Sequence, residues 1–324
     1  MRTLQDLSTR RGEGEFSLLP RIGVISNPRS HMNKQAMRPE LNLPEAVVIR
    51  QAPETKRALE SALNQFAREN VRLIVVDGGD GTVRDVLTLA HRIFKGRLPQ
   101  FAILRSGKTN ALAIDLGIPA DWTVGEALKA HLAGKVERRS PLQVHWINSS
   151  HADQLGFIFG SGIFLRATLL AQKVHRGGWF NESAILMTVI WAILQTMFGK
   201  AESPWRRGER MSLSWDGNDI AVGRTFALFA STLRRLPLGI RPFGKERDGA
   251  KFLAVKAPPK SFLRSLARLQ RGVARERLEQ DGYVIRDEDR VIVSMRKGFI
   301  LDGERFPGGN LVVSRGVPVE FVVP

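Results

Sequence analysis

Leu73-Ile74-Val75-Val76-Asp77-Gly78-Gly79-Asp80-Gly81-Thr82 couples a short apolar run to a glycine-rich loop that bears a carboxylate. The β-branched residues favour a buried strand. Val83, Val86, Leu87, Ala90 and Phe94 then recur at helical spacing. A strand that turns through glycines into a helix brings backbone N–H groups up to an anion, and the helix start adds partial positive charge. Asp80 itself repels phosphate, so its chemistry in such a loop is to reach a Mg²⁺ ion or a hydroxyl. The loop has neither the P-loop spacing nor the G-x-G-x-x-G dinucleotide spacing. Taken alone, it is equally well a tight strand-to-helix turn.

The flanking segments supply the context. Arg21–Ser26 reads as a first strand ending in Asn27-Pro28-Arg29-Ser30, and residues 46–50 as a second. A helix follows over 54–70, ahead of the strand that enters the glycine loop. Residues 100–104 form another strand, followed by Arg105-Ser106-Gly107-Lys108-Thr109-Asn110 and a short helix over 111–116. Alternation of strand and helix predicts a parallel sheet covered on both faces, with ligands beyond the carboxyl ends of its strands. Three strands end in polar loops of that kind, at Asn27, Gly78 and Gly107, and their coincidence outweighs any one of them. From about residue 136 the rhythm changes. Short runs over 154–159, 210–215, 225–229, 252–256, 290–294 and 317–323 are separated by Gly, Pro, Asn and Asp turns. That pattern predicts an antiparallel β domain with helices inserted near 164–199 and 260–279. The expected division is a frayed extension over 1–20, an α/β domain over 21–135 and a β domain over 136–324.

The 324 residues carry a net charge of +17, so an anionic partner is expected: lipid, nucleotide or nucleic acid. No cysteine is present, which excludes disulfides and thiolate metal sites. Six histidines are scattered without ligand spacing, which argues against zinc. No zinc finger, RNA-recognition aromatic motif or helix-turn-helix accompanies the arginines, so nucleic acid is not expected as a partner. The first twenty residues lack a secretory pattern, and the expectation is a cytoplasmic protein.

Two segments bear on membranes. Residues 183–199 hold no charge, but as a helix they would reach only about 25 Å, short of a hydrocarbon core of about 30 Å. A buried or interfacial helix is expected, with Trp179, Phe180 and Trp205 placed as interfacial anchors. Residues 261–280 form a basic amphipathic helix, with Phe262, Leu266, Leu269 and Val273 on one stripe and Arg264, Arg268, Arg271 and Arg275 on another. That helix either packs its apolar stripe on the core or meets an anionic membrane surface as a peripheral element. The sequence leaves a homodimer open.

In this order, these segments resemble the diacylglycerol kinase catalytic-domain family, which includes bacterial lipid kinases and sphingosine and ceramide kinases. The resemblance runs from about Arg21 to Pro324. Asn27-Pro28-Arg29-Ser30 is similar to the family's opening Asn-Pro-x-Ser-Gly, and Gly78-Gly79-Asp80-Gly81-Thr82 to its hallmark loop. Gly107-Lys108-Thr109-Asn110 with Leu116-Gly117-Ile118-Pro119 resembles its Gly-Thr-x-Asn…Leu-Gly-Ile-Pro segment. Asp248-Gly249 resembles a stretch that holds magnesium in some bacterial members. Leu301-Asp302-Gly303-Glu304 is similar to the stretch carrying the proposed proton acceptor. NAD kinases share the glycine loop, but that last stretch favours the lipid-kinase side.

The resemblance implies a Rossmann-like ATP-binding domain, then an antiparallel β-sandwich domain with inserted helices that takes a lipid substrate. It implies transfer of phosphate from ATP, with Mg²⁺, to a lipid hydroxyl. Carried onto this chain, Glu304 is the base, Asp302 orients it or shares its role, and Asp80 is the alternative base. Asn27, Pro28, Ser30, Gly78, Gly79, Asp80, Gly81, Thr82, Gly107, Lys108, Thr109 and Asn110 hold the nucleotide. Asp248 is the metal residue. The sequence departs from the family pattern at Arg84-Asp85, Lys108, Ala111 and Pro141, where acidic or neutral residues are usual. Arg84 and Lys108 are expected on phosphate oxygens in place of metal charge. The same departures fit an alternative, a kinase-fold protein that binds lipid or nucleotide with little turnover.

Overall fold

The structure is a computed structural model that describes residues 19–30, 43, 46–176, 200, 203, 206–215, 218–236, 249–271 and 275–324. Most of the 1–20 extension, the apolar 183–199 segment with Trp179, Phe180 and Trp205, and Asp248 lie outside the described residues. The chain forms two compact units, residues 1–139 with 319–324, and residues 140–318.

In the first unit, β1 (Arg21–Ser26) and β2 (Val47–Gln51) lead to α1 (Lys56–Arg68), then β3 (Leu73–Gly78), α2 (Asp80–Ile93) and β4 (Gln100–Arg105). Two further helices, α3 (Ala111–Asp115) and α4 (Val124–Leu132), precede β5 (Val136–Arg139). Pairs β1–β2, β1–β3 and β3–β4 are all parallel, as the strand–helix alternation requires. Every residue of β3 is buried, from the apolar run Leu73–Val76 through Asp77 and Gly78. Caps start the helices where the sequence supplies them. The Thr55 hydroxyl accepts from the Ala58 N–H at 3.1 Å, and Thr123 with Glu126 builds a capping box on α4. Leu59, Ala62, Leu63 and Phe66 face inward from α1. Burying each large apolar side chain contributes roughly 1.5–3 kcal/mol before entropy is counted.

The second unit contains β6 (Leu142–Trp146), β7 (Gln154–Gly156), β8 (Ile158–Gly162), α5 (Ile163–Arg176), β9 (Glu209–Trp215), β10 (Asn218–Ser231) and β11 (Lys251–Lys256). It continues through α6 (Phe262–Arg271), α7 (Arg275–Gln280), β12 (Tyr283–Asp287), β13 (Arg290–Met295), β14 (Phe299–Leu301), β15 (Glu304–Phe306) and β16 (Gly309–Arg315). Its strands form one antiparallel sheet in the order β15-β14-β8-β10-β9-β13-β16-β6-β7, with β11 joined to β10 and β12 to β11. The sheet curls around a core that includes Val144, Phe159, Leu213, Leu228, Phe252, Val293, Phe299 and Leu311. Leu269 of α6 and Leu278 of α7 join a smaller cluster with Phe226, Leu253 and Tyr283. Phe262 and Leu269 of the expected apolar stripe therefore pack on the core, while Leu263 remains 49% exposed on the helix surface beside exposed Arg264.

One strand goes elsewhere than its sequence pattern suggests. The alternation places residues 317–323 in the β domain, but β17 (Val319–Val322) joins the first sheet, parallel to β4 and antiparallel to β5. The first sheet thus runs β2-β1-β3-β4-β17-β5. Phe321, fully buried, packs against Phe101 at a ring separation of 6.2 Å, and the Glu320 carboxylate takes the Gln100 amide and Arg138 guanidinium. A short apolar strand satisfies either sheet by periodicity. The cross-strand partners decide.

Candidate functional site

Parallel pairing brings the carboxyl ends of β1, β3 and β4 side by side. Ser26 lies opposite Asp77, and Asp77 opposite Leu104. The three polar loops expected to cooperate therefore leave the same edge of one sheet. The Asn27 N–H donates to the Asp77 carbonyl at 2.9 Å, and the Asn27 side-chain amide donates to Thr82 Oγ1 at 2.8 Å, tying the first loop to the glycine loop. The Asn27 Oδ1 also accepts the Arg29 N–H at 2.9 Å, closing an Asx turn over exposed Pro28.

The glycine loop and the third loop touch through their glycines. A Cβ built on Gly107 would lie 2.5 Å from the Gly79 Cα, closer than two such atoms approach. Gly107 is held in place by Asn110, whose Oδ1 accepts the Gly107 N–H at 2.9 Å and whose amide donates to the Gly107 carbonyl at 2.8 Å. Asn110 sits at φ 50, ψ 45, a left-handed conformation that Asn tolerates best after glycine. Gly79 is the N-cap of α2, and no side chain caps that helix end. A helix start with no side-chain cap and bare backbone on both sides is a natural phosphate seat.

The structure also connects residues that sequence spacing leaves apart. Asp77, buried at the end of β3, accepts a hydrogen bond from the Ser106 hydroxyl in the third loop. A lone acid inside an apolar strand demands such a partner, and that demand is the available sequence signal. The Asp80 carboxyl is pushed above the usual carboxylate range by burial, against the pull of the backbone N–H groups of Leu112, Ala111 and Asn110 and its own. Asp80 therefore faces the first turn of α3. The Ser30 hydroxyl is buried and has no hydrogen-bond partner among the described residues, an unspent donor beside the Asn27 turn.

Lys108 and Thr109 are exposed at the tip of the third loop, while Gly78, Gly81 and Thr82 line the turn between β3 and α2. A Cβ on Gly78 would strike the Thr82 side chain at 2.7 Å. Arg84 departs from expectation. It is fully buried, and its Nη2 and Nε bond the Asp85 Oδ1 at 2.8 and 3.3 Å. Its position three residues before Leu87 on an inward-facing helix stripe accounts for that burial. A hollow of about 600 Å³ in this unit, with Arg72, Arg97 and His131 on its walls, opens at the opposite, amino-terminal edge of β3 and β4.

The other two named acids lie in the second unit. Asp302 and Gly303 form the two-residue turn between β14 and β15 with φ 45 and φ 82, as a type I′ hairpin requires. The Asp302 carboxylate accepts the Phe157 N–H at 3.1 Å and the Ile158 N–H at 2.9 Å, locking the hairpin to β8 and the residue before it. Glu304, next along, is exposed.

The donor set fits a polyphosphate on three counts: the glycine contact that a Cβ would fill, the uncapped start of α2 and the unspent Ser30 hydroxyl. For magnesium the fit is narrower. Among the described residues no three His, Asp or Glu side chains cluster as a metal cage. Mg²⁺ in phosphoryl transfer asks only one or two carboxylates beside phosphate oxygens and water.

Residues 21–144 match the family model described as the diacylglycerol kinase catalytic domain. Among solved structures, a candidate diacylglycerol kinase from Bacillus anthracis str. Sterne superposes with a TM-score of 0.64 at 15% identity, covering 95% of this chain and 98% of its own. A diacylglycerol kinase structure from the same organism gives a TM-score of 0.59 at 15% identity with the same coverage. A third, a candidate of the same description, gives 0.63 at 14% identity, again over 95% and 98%. These likenesses are of fold. No curated protein matches the sequence significantly.

Proposed function

Because residues 21–144 of this chain belong to the diacylglycerol kinase catalytic-domain family, we propose that the protein is an ATP-dependent lipid kinase. The acceptor would be a hydroxyl of a diacylglycerol-like or sphingoid lipid. The observation that carries this reading is the contact of Gly79 with Gly107, where two strand-end loops leave bare backbone at the uncapped start of α2. The nucleotide phosphates would lie there, with Ser30, Asn110 and Thr82 fixing the loops and Lys108 supplying cationic charge. Magnesium carried in with the nucleotide and held by Asp80 would neutralise phosphate charge, and Asp248 would hold a separate structural magnesium. Glu304, exposed at the start of β15 and matched to the family's proton-acceptor stretch, is the base of choice, while Asp80 is engaged with α3. It would take the hydroxyl proton as the lipid oxygen bonds to the terminal phosphorus and the bond to ADP breaks.

The lipid would be met at an anionic membrane surface from the cytoplasmic side. Exposed Leu263 and Arg264 on α6 suit peripheral contact, and no helix among the described residues is long and apolar enough to cross a bilayer. The alternative, a kinase-fold protein that binds nucleotide or lipid with weak turnover, draws on the engagement of Asp80 with α3 and on the burial of Arg84.

Labelled ATP and total lipid extract separate the two. The kinase reading expects a labelled lipid, and Glu304→Gln is expected to slow transfer by about 10²–10⁴-fold with an unchanged melting temperature. An equal rate in that variant removes Glu304 from the chemistry. Nucleotide binding without any labelled lipid selects the weak-turnover reading.

A further inference from the structure

The second unit carries a charged cluster that the kinase reading does not use. Arg224 of β10 lies directly opposite Arg210 of β9 in the antiparallel register. Met211 of β9 lies opposite Met295 at the end of β13, and Arg296, one residue beyond that end, borders the same hollow as Arg210 and Arg224. Met211 and Met295 are buried, and strand alternation sends their neighbours Arg210 and Arg296 to the outer face of the sheet, where both are exposed. Arg210 and Arg224 therefore form a cross-strand pair of like charges, and Arg296 joins them on the same hollow. Like charges placed directly opposite destabilise a sheet.

No carboxylate pairs with Arg210 or Arg296 among the described residues, and Arg224 reaches only the Arg207 carbonyl at 3.4 Å. Glu209, the adjacent acid, is buried on the inner face and engaged by Lys297 at 3.0 Å and Arg166 at 3.6 Å. The next row on the same outer face is made of short polar side chains. Ser212 lies opposite Ser294, and Ser294 opposite Asn310, with the Ser294 hydroxyl donating to Asn310 Oδ1 at 2.6 Å. That bond leaves the Asn310 amide hydrogens free to point outward. These six residues border a hollow of about 710 Å³, within the size range of small-molecule sites.

We propose that this outer face is a binding site for a phosphate monoester, its dianion held by Arg210, Arg224 and Arg296 and its hydroxyl-bearing part by Ser212, Ser294 and Asn310. Guanidinium forks match phosphate oxygens, and a dianion turns the repulsion within the cluster into attraction. Hydroxyl and amide donors on the floor then suit the polar group that carries the phosphate. A soluble sugar or glycerol phosphate and the headgroup of phosphatidic acid share this chemistry.

The test titrates the full chain with sn-glycerol 3-phosphate by calorimetry, with the non-hydrolysable ATP analogue AMP-PNP present in excess to occupy the phosphate seat of the first unit. Co-sedimentation with phosphatidic-acid vesicles against phosphatidylcholine vesicles forms the other arm. In at least one arm the wild type is expected to bind, and Arg210→Ser with Arg296→Ser to weaken that binding by about tenfold or more. A free-protein readout accompanies it. In low salt the double variant is expected to melt above the wild type, and where the calorimetric arm shows binding, glycerol phosphate raises the wild-type midpoint alone. Binding in the calorimetric arm alone assigns the site to a soluble phosphate, and in the vesicle arm alone to the lipid headgroup. Equal binding by wild type and double variant in every arm, or no binding in either, overturns the proposal. So does a double variant that melts below the wild type in low salt.

Discussion

As bare sequence, Gly79-Asp80 in the first unit, whose glycine touches Gly107, resembles Asp302-Gly303 in the other, since both set a glycine beside an acid at the end of an apolar strand. They do different physical work. At Gly107 the demand is for room, since a Cβ would meet the Gly79 Cα at 2.5 Å. At Gly303 the demand is for a dihedral, φ 82 in a tight turn, and a Cβ there would meet nothing within 4 Å. The acids differ in the same sense. Asp302 accepts two strand N–H groups and ties a hairpin to its neighbour. Asp80 is held in a buried place that disfavours its charge. Asp302 ties a hairpin to its neighbour at no such cost, while Asp80 holds the start of α3 at a cost to its own charge. A carboxylate held at such a cost is a candidate for chemistry.

The largest expected effect is at the first glycine pair. Gly107→Ala forces backbone against backbone, which a side-chain rotation cannot relieve, and should cost about 3 kcal/mol together with loss of measurable ATP binding. Chemical denaturation and calorimetry check both, and a variant that binds ATP normally ends the close-approach argument. Asp302→Asn keeps the shape and the left-handed tolerance but removes the charge and one acceptor oxygen. It should cost about 2 kcal/mol in urea unfolding. Gly303→Ala should cost only about 1 kcal/mol, because the strain is confined to one residue at positive φ. If Gly303→Ala proves as costly as Gly107→Ala, the distinction between room and dihedral fails.

The sequence is legible where a residue's neighbours are local. The strands β1, β3 and β4, the helix after the glycine loop and the convergence of three loops all follow from periodicity and from the parallel arrangement it implies. What stays hidden depends on pairing across long separations. Residues 319–322 carry no mark of which sheet they will join. The choice rests on Phe321 meeting Phe101 and on Glu320 meeting Gln100 and Arg138. The engagement of Asp80 with the start of α3 spans some thirty residues and leaves no local trace. Arg84 misleads for a subtler reason. Its charge suggests phosphate, yet its spacing to Leu87 and Thr88, both buried, puts it on the inward stripe of α2. Helical phase is the better guide than residue type.

The smallest effect gives the sharpest separation between the two acids. Burial raises the Asp80 pKa in the folded state, so the folded protein holds that proton more tightly than the unfolded chain does. Stability from this group is then fully present below the ordinary carboxylate range and declines as pH rises through the higher folded value. Above it, the ionised group is a constant cost. Asp80→Asn removes that proton linkage while leaving an oxygen to face the N–H groups of α3. The variant should therefore be at least as stable as the wild type at neutral pH, with a flatter stability curve through the acid limb. Urea unfolding at intervals from acid to neutral pH reads the difference directly. If Asp80→Asn loses stability at neutral pH as Asp302→Asn does, both acids are structural and the glycine loop is an ordinary turn. If it holds its stability and loses phosphate transfer, the cost at Asp80 is the cost of chemistry.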